Sequence, residues 1–535
     1  MQKILIDYSK TGFFSTLIQD YLAQKNTVLP FYNYAPTIEN ALTIAQKFSF
    51  PQSSRQLLVK VLDRQYSGFE ISDATRHNIQ SLLQPNSFTV VTGHQPCILT
   101  GPLYFLYKII TAINLSEKLN LQHPSKHFVP VYWMGSDDHD FDEINHINLF
   151  GKTITWDQPL RTATGRLSPQ TLRSLLEELR NITGQSVIAN NLMEVFEHAY
   201  LQHQTLAQST RFLVNYLFGH DGLIVIDQDD KELKKQFAPV MKDELLAGRS
   251  FHLVQTTNEL LQEKGYPNQA FARQINLFYL TDEFRNRIEK NPDNNSFTIH
   301  QTNLSFTSDA ILYELENHPE RFSPNVILRP LFQQTVLPSI AYIGGGGELA
   351  YWLQLKSVFD YYQVSFPMLW LRNSVLFIDA AVVTKMNAIS LQPEQLFVDT
   401  ETLISRYVEE QSIHNLNLSE QKKLIIQIYD QIKLQALKID PTLEASVSAE
   451  ATKATNGMEN IEAKLLKAEK RKYDTVLQQI KNIKNKLFPN GNLQERYENF
   501  IPFFLLSNGQ FISLLKKHID PTDHKFTILL NDSTS

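Results

Sequence analysis

Between residues 88 and 150 the hydrophobic pattern changes period three times. A β-branched apolar run at 88–92 stops at Gly93, residues 103–119 then repeat apolar side chains at helical spacing, and residues 129–134 are apolar and extended again before an acidic turn at 137–142. The pattern predicts strand, turn, helix and strand, a βαβ unit with polar residues at both strand ends. In open α/β sheets the ligand crevice lies at the carboxyl ends of the strands, so the segments 92–95 and 137–142 are expected to face one pocket.

Residues 1–87 read as mostly helical, in short periodic segments interrupted by Pro30, Pro36 and Pro51. Residues 151–160 read as a turn and strand that extend the sheet edge, and 168–218 as an inserted helical region. The run GLIVID at 222–227 has the continuous apolar character of a strand buried on both faces, and a helix follows over 229–246. Residues 266–322 alternate short strands with Asn- and Pro-rich turns. At 341–362 a strand meets four consecutive glycines, 344–347, and an amphipathic helix expected to begin at Glu348; strands are expected again at 366–371 and 375–378.

Beyond about residue 398 the chain becomes strand-poor and highly charged. Leu418, Ile425, Ile428, Ile432 and Ile439 share one side of a helix, and Tyr473, Val476, Ile480, Ile483 and Leu487 recur at alternating three and four, with 441–457 between them. This predicts an antiparallel helical hairpin whose seam is buried against itself, the core or another copy. The expected division is a core over 1–397 with connective insertions at about 151–220 and 247–322, a hairpin over 398–490, and a segment over 491–535 returning to the core.

Composition narrows the class. A chain of 535 residues with 42% hydrophobic content can bury a large core, and a net charge of −6 gives no global footprint for nucleic acid or an anionic membrane. The lone Cys97 excludes internal disulfides and CxxC motifs, which suits a reducing compartment, and the absence of a signal core or an apolar run of membrane-spanning length makes the cytoplasm the default. Cys97 itself reads as a small packing residue beneath the turn.

The acidic turn Asp137-Asp138-His139-Asp140, with Asp142, Glu143 and His146, suits a divalent cation, a substrate ammonium group or a general base, because such close carboxylates need a compensating positive charge; the competing reading is a solvated helix cap. His94 suits hydrogen bonding to a phosphate or a developing oxyanion, Lys108 reaches the same space or snorkels, and Arg329 offers a planar fork for a carboxylate or pairs structurally. The glycine loop permits close ligand approach but matches neither GxxxxGK[ST] nor GxGxxG. These readings assign His94, Asp138, His139 and Asp140 to catalysis, and Gly93, Gln95, Lys108, Asp137, Arg329, Gly345, Gly346 and Glu348 to substrate binding, with no dedicated metal-ligand set. Basic residues from Lys464 to Lys486 read as a solvated helix face.

Seven segments in order, TGHQPCILTGPLYFLYK, PVYWMGSDDHDFDEIN, GLIVIDQDD, INLFYL, FSPNVILRP, LPSIAYIGGGGELAYW and LFPNGNLQER, resemble the bacillithiol biosynthesis cysteine-adding enzyme family (BshC, cysteine ligase). The resemblance implies an α/β fold with a Rossmann-type parallel-sheet core, connective insertions, and a C-terminal antiparallel coiled-coil hairpin supporting a homodimer. It also implies ligation of L-cysteine to glucosaminyl-malate as the last step of bacillithiol synthesis, the carboxylate being activated most simply by ATP as an adenylate or acyl phosphate; the acidic turn then suits the cysteine ammonium or a magnesium ion. Rival readings are a synthetase-like aminoacyl-transferring or nucleotidyltransferase enzyme and a non-catalytic pathway scaffold. Membrane and nucleic acid are not among the expected partners. The resemblance further implies a core related in layout to nucleotidyltransferases and class I aminoacyl-tRNA synthetases, and two departures from the synthetase signatures stand out: His94-Gln95-Pro96 is not a full HxGH signature, and Lys385-Met386-Asn387 is only a fragment of a KMSKS-like loop.

Overall fold

The computed structural model describes residues 1–158, 162–293 and 295–531. Its centre is an all-parallel five-stranded sheet in the order Met368–Leu371, Ser339–Gly344, Ser87–His94, His127–Met134, Ile224–Asp227. These strands are almost wholly buried, which explains their continuous apolar runs, since a sheet covered on both faces leaves no position for alternating polar residues. The helix Tyr104–Gln122 makes the crossover between the strands Ser87–His94 and His127–Met134. From Ser87–His94 the chain adds strands to one side, ending at Ile224–Asp227, and later to the other side, beginning at Ser339–Gly344. The order therefore reverses between Ser87–His94 and Ser339–Gly344, and such a switch point opens a crevice at the carboxyl ends of the strands.

Three helices, Arg173–Thr183, Val187–Leu201 and Leu206–Phe218, form the first insertion; Ser186 and Thr205 cap the second and third, the latter in a capping box with Gln208. The second insertion carries an antiparallel sheet ordered Ser305–Phe306, Phe297–Ile299, Arg285–Lys290, Leu277–Leu280, Phe322–Pro324. A third sheet joins the two ends of the chain: Gln2–Ile6 runs antiparallel to Phe526–Leu530, which runs parallel to Val375–Ile378.

Several expectations need correction. The N-terminal region is helical apart from a strand, Gln2–Ile6, whose two exposed, two half-buried and one buried residues follow no strict alternation that would mark a strand. The strand Lys152–Thr155 does not extend the central sheet; it pairs with His146–Leu149 in a separate hairpin, and the end of that predicted segment lies outside the described residues. The glycine helix begins at Gly346, two residues earlier than Glu348. The helical hairpin is Ser419–Ile439 against Leu443–Lys470, joined by three residues, so 441–457 is not a connector. Ile428, Ile432 and Ile439 are exposed on it, not sealed in its seam. The later helix, Asp474–Leu487, belongs to the base: Ile480, Ile483 and Leu487 are buried within the protomer, and the helix contacts Thr400–Gln411 and Ala380–Ala388.

Candidate active site

The crevice at the switch point is a cleft of about 920 Å³, lined by the ends of the central strands, the glycine helix and the inserted antiparallel sheet. Gly93 and His94 close the first strand. The His94 ring is fixed on both sides, with Nδ1 3.0 Å from the carbonyl of Gln95 and Nε2 3.0 Å from the Tyr104 hydroxyl. Burial, with Lys108 nearby, holds the imidazole down at about 4, so it is neutral at physiological pH. A neutral ring donating from Nδ1 to the carbonyl presents Nε2 as an acceptor to Tyr104. In this arrangement His94 offers no cation to a phosphate.

Lys108 is buried in the cleft wall, with Nζ 2.5 Å from the Gly93 carbonyl and 2.7 Å from Glu348 Oε2. Glu348 accepts from the backbone N–H of Gly345 at 2.8 Å and from the Tyr342 hydroxyl at 2.9 Å. One carboxylate thus caps the glycine helix and neutralises a buried lysine. The Gly345 N–H is consumed by that cap. The glycines serve close packing instead: a Cβ on Gly344 would lie 3.0 Å from Leu349 Cδ2 and 3.0 Å from Tyr342 Cε1. Gly345 and Gly347 line the cleft, whereas Gly346 faces Phe14 and Ile18.

The acidic turn splits into two groups. Asp137 turns inward, fully buried, accepting from Gln228 Nε2 and forming an ion pair with the buried Lys234 at 3.3 Å. Asp138 lines the cleft and is clamped by Arg329 (NH2 to Oδ2, 2.6 Å) and Arg285 (NH1 to Oδ1, 3.3 Å), with the His139 N–H donating at 2.8 Å. Burial acts to raise its carboxyl, but Arg329 and Arg285 outweigh that and hold it well below the usual carboxylate range. His139 lines the cleft and accepts from Arg285 through Nδ1 at 2.8 Å. Asp140 is exposed on the cleft and makes no side-chain cap to the short helix Phe141–Ile144. Glu143 lines the cleft as well, its carboxyl raised by burial and by Asp140 and Asp138.

Sequence reasoning missed most of the positive charge. Seven cations, Lys108, Arg273, Arg285, Arg287, Arg329, Arg372 and Arg496, line the cleft against four carboxylates, Asp138, Asp140, Glu143 and Glu348. Arg372 is buried, pairs with Glu495 at 2.7 Å and lies over the Tyr104 ring at 5.4 Å. Arg273, Arg287 and Arg496 are exposed and form no ion pair among the described residues. The signal was weak because the seven come from six separate stretches of chain, and only Lys108, Arg329 and Arg496 sit in recognisable segments. Four buried polar atoms of lining residues, Gln95 Oε1, Arg329 Nε, Gln333 Nε2 and Trp352 Nε1, lack a hydrogen-bond partner among the described residues, as expected of a surface built to meet a polar ligand.

Cys97 is buried next to His94, and burial pushes its thiol far above the ordinary range. Lys385 is exposed on the helix Ala380–Ala388 and does not line the cleft. Among the described residues no group of three or more His, Cys, Asp or Glu is arranged to hold a metal ion, and no helix is long and apolar enough to cross a membrane.

Residues 1–373 match the family model described as "Bacillithiol biosynthesis BshC, N-terminal Rossmann-like domain", and residues 375–530 match "Bacillithiol biosynthesis BshC, C-terminal coiled-coil domain". A Flavobacterium johnsoniae protein named "Putative cysteine ligase BshC" is 44% identical over 526 residues, covering 98% of this chain and 99% of that one. Proteins of the same name from Christiangramia forsetii and Cytophaga hutchinsonii are 42% and 38% identical, covering 98% and 95% of this chain and 98% and 95% of their own. With both of its modules matched and relatives aligned almost end to end, the chain belongs to the BshC family of bacillithiol biosynthesis.

Proposed function

We propose that the protein is a cytoplasmic ligase that joins the carboxyl group of L-cysteine to the amine of glucosaminyl-malate, the last step of bacillithiol synthesis, with ATP as the activating cosubstrate. The observation that carries this reading is the charge balance of the cleft, seven cations against four carboxylates in a chain of net charge −6. A cleft so biased attracts polyanionic small molecules and focuses their approach. Both a malate dicarboxylate and a nucleotide triphosphate have that character, and the names of the relatives support the amide-forming chemistry.

Amide formation from a free carboxylate is uphill in water, and ATP supplies the activation of the acyl carbon. The residues present fit a nucleotide in one respect: among the described residues the guanidiniums of Arg273 and Arg287 form no ion pair and are available to phosphate oxygens. The Gly345 N–H is not, so the glycine loop acts through its steric openness. Asp140 and Glu143, the two cleft carboxylates that form no ion pair among the described residues, suit the ammonium of cysteine or a magnesium ion carried in with phosphates. Asp138 holds Arg285 and Arg329 in place, and Arg329 keeps a free Nε for a substrate carboxylate. His94, neutral and tied to Tyr104, suits a dipolar contact to the reacting groups.

The exposed apolar stripe Leu424, Ile428 and Ile432 on the hairpin supports a homodimer formed through that arm. The decisive experiment incubates the protein with both substrates and ATP and follows thiol product together with AMP and ADP. AMP marks an adenylate route and ADP an acyl phosphate. If no nucleoside triphosphate yields the thiol, the ligase reading is wrong.

A further inference from the structure

Beyond adding Arg496 to the cations of the cleft, the stretch LFPNGNLQER at 487–496 has been given no role, yet it brings the C-terminal module to the cleft. Gln494 and Glu495 are buried and both use their side chains on the end of the Rossmann module and the strand after it. Gln494 Oε1 accepts from the Phe377 N–H at 3.0 Å while its Nε2 donates to the Phe377 carbonyl at 3.1 Å. Glu495 accepts from Arg372 at 2.7 Å and from the Val375 N–H at 3.0 Å. On the other side, the Leu103 N–H donates to the Glu498 carbonyl at 2.8 Å, and Asn499 Nδ2 donates to the carbonyls of Leu99 and Gly101 at 2.9 and 2.6 Å.

Between these two anchors stands Arg496, exposed, facing the cleft and without an ion pair among the described residues. A surface arginine with no task needs no such framework. Here four neighbours hold its backbone between the segment 372–377, where the two modules meet, and the turn 99–103 of the Rossmann module, so little backbone freedom remains to be lost when the guanidinium takes a ligand. We infer that Arg496 is a substrate-binding residue delivered to the cleft by the C-terminal module, where it holds an anionic oxygen group, a carboxylate of the amine substrate or a phosphate of the nucleotide. This rests on the ligase reading above. It makes the C-terminal module part of the active site as well as a hairpin arm.

The test uses the full chain with Arg496→Ala and Arg496→Lys, and with Lys481→Ala as an exposed charge control on the helix Asp474–Leu487. Calorimetry measures Kd for glucosaminyl-malate alone and for a non-hydrolysable ATP analogue alone, and steady-state kinetics measures KM for each. Arg496→Ala is expected to weaken one of the two about tenfold or more, with an unchanged melting temperature, because a charge-assisted hydrogen bond is lost. Arg496→Lys is expected to fall between, keeping the charge and losing the fork, and Lys481→Ala to change neither. Weakened glucosaminyl-malate assigns the carboxylate, and weakened nucleotide assigns the phosphate. If the parent makes thiol while Arg496→Ala leaves both Kd and both KM values within twofold, this inference fails and the ligase reading stands; if the parent makes no thiol, the ligase reading fails first.

Discussion

Asp138→Asn removes one negative charge from between two arginines and changes almost no volume. The carboxylate lies 2.6 Å from Arg329 and 3.3 Å from Arg285, and Arg285 is only 2% exposed. Breaking a buried pair by removing one partner costs about 3–5 kcal/mol, chiefly because the remaining charge is left uncompensated. The Asp138 side chain keeps 15% exposure and an asparagine still accepts one hydrogen bond, so the low end, about 3 kcal/mol, is expected. Urea unfolding at pH 7 followed by tryptophan fluorescence should show a lower midpoint at an unchanged slope. The pH dependence gives an independent check. Asp138 has a depressed pKa in the folded state, so its contribution is fully present above the unfolded value of about 3.9 and is lost as pH falls through the folded value. The gap between parent and variant should therefore be widest at neutral pH and close as the solution is acidified. Turnover, measured where both proteins are folded, should fall about a hundredfold as Arg329 and Arg285 lose their common anchor. An unchanged urea midpoint at pH 7, or a gap that persists undiminished in acid, would show that Asp138 is not the keystone of the two arginines.

Selective nitrogen-15 labelling should show the His94 ring neutral at pH 7 and titrating near 4, and a midpoint between about 6 and 7 would overturn the buried, Tyr104-bound state. Cys97→Ala should keep most of the activity, because the raised thiol pKa leaves no thiolate for a covalent step; loss of product with normal substrate binding would require an acyl-enzyme. Ile428→Glu with Ile432→Glu should yield monomer on light scattering at unchanged stability, whereas Ile480→Glu should unfold the base, since Ile480 is wholly buried within one chain. Gly344→Ala should destabilise by about 1–3 kcal/mol and raise KM, its methyl pressing on Leu349, Tyr342 and the Glu348 Cβ; wild-type stability and kinetics would show that the loop yields freely.

The central βαβ unit was legible because its strands are buried on both faces and its helix is long, which leaves hydrophobic runs of unambiguous period. The hairpin was half legible. Pro441 and Gly457 suggested a linker, but Pro441 sits in the three-residue turn and Gly457 inside the helix Leu443–Lys470, where open space around it makes its cost only the roughly 1 kcal/mol of a helical glycine. Exposed isoleucines such as Ile428 mimic a seam, because periodicity reports an apolar face and not what covers it. At the cleft, His94, Lys108, Asp138, Arg329 and Glu348 were brought together from strand ends and adjacent helices, as switch-point geometry requires. Asp137 and Gly346, their immediate neighbours in sequence, point elsewhere, because a turn sends successive side chains in different directions. Arg273, Arg287 and Arg372 converge only through tertiary structure, and nothing in their local sequence marks them.

The sheet that pairs Gln2–Ile6 with Phe526–Leu530 sets a clock on biosynthesis. At about 5–20 residues per second, the first strand waits on the order of a minute for its partner to be translated. The anchors that seat Arg496, Gln494 with Phe377 and Asn499 with Leu99, are as late. The Rossmann module can collapse on the ribosome around its own strands, but its Arg496-bearing cleft wall and its N-terminal edge wait for residues 494–530. A nascent chain that has not yet reached residues 494–499 therefore carries a formed sheet and a cleft that lacks the Arg496 side of its lining.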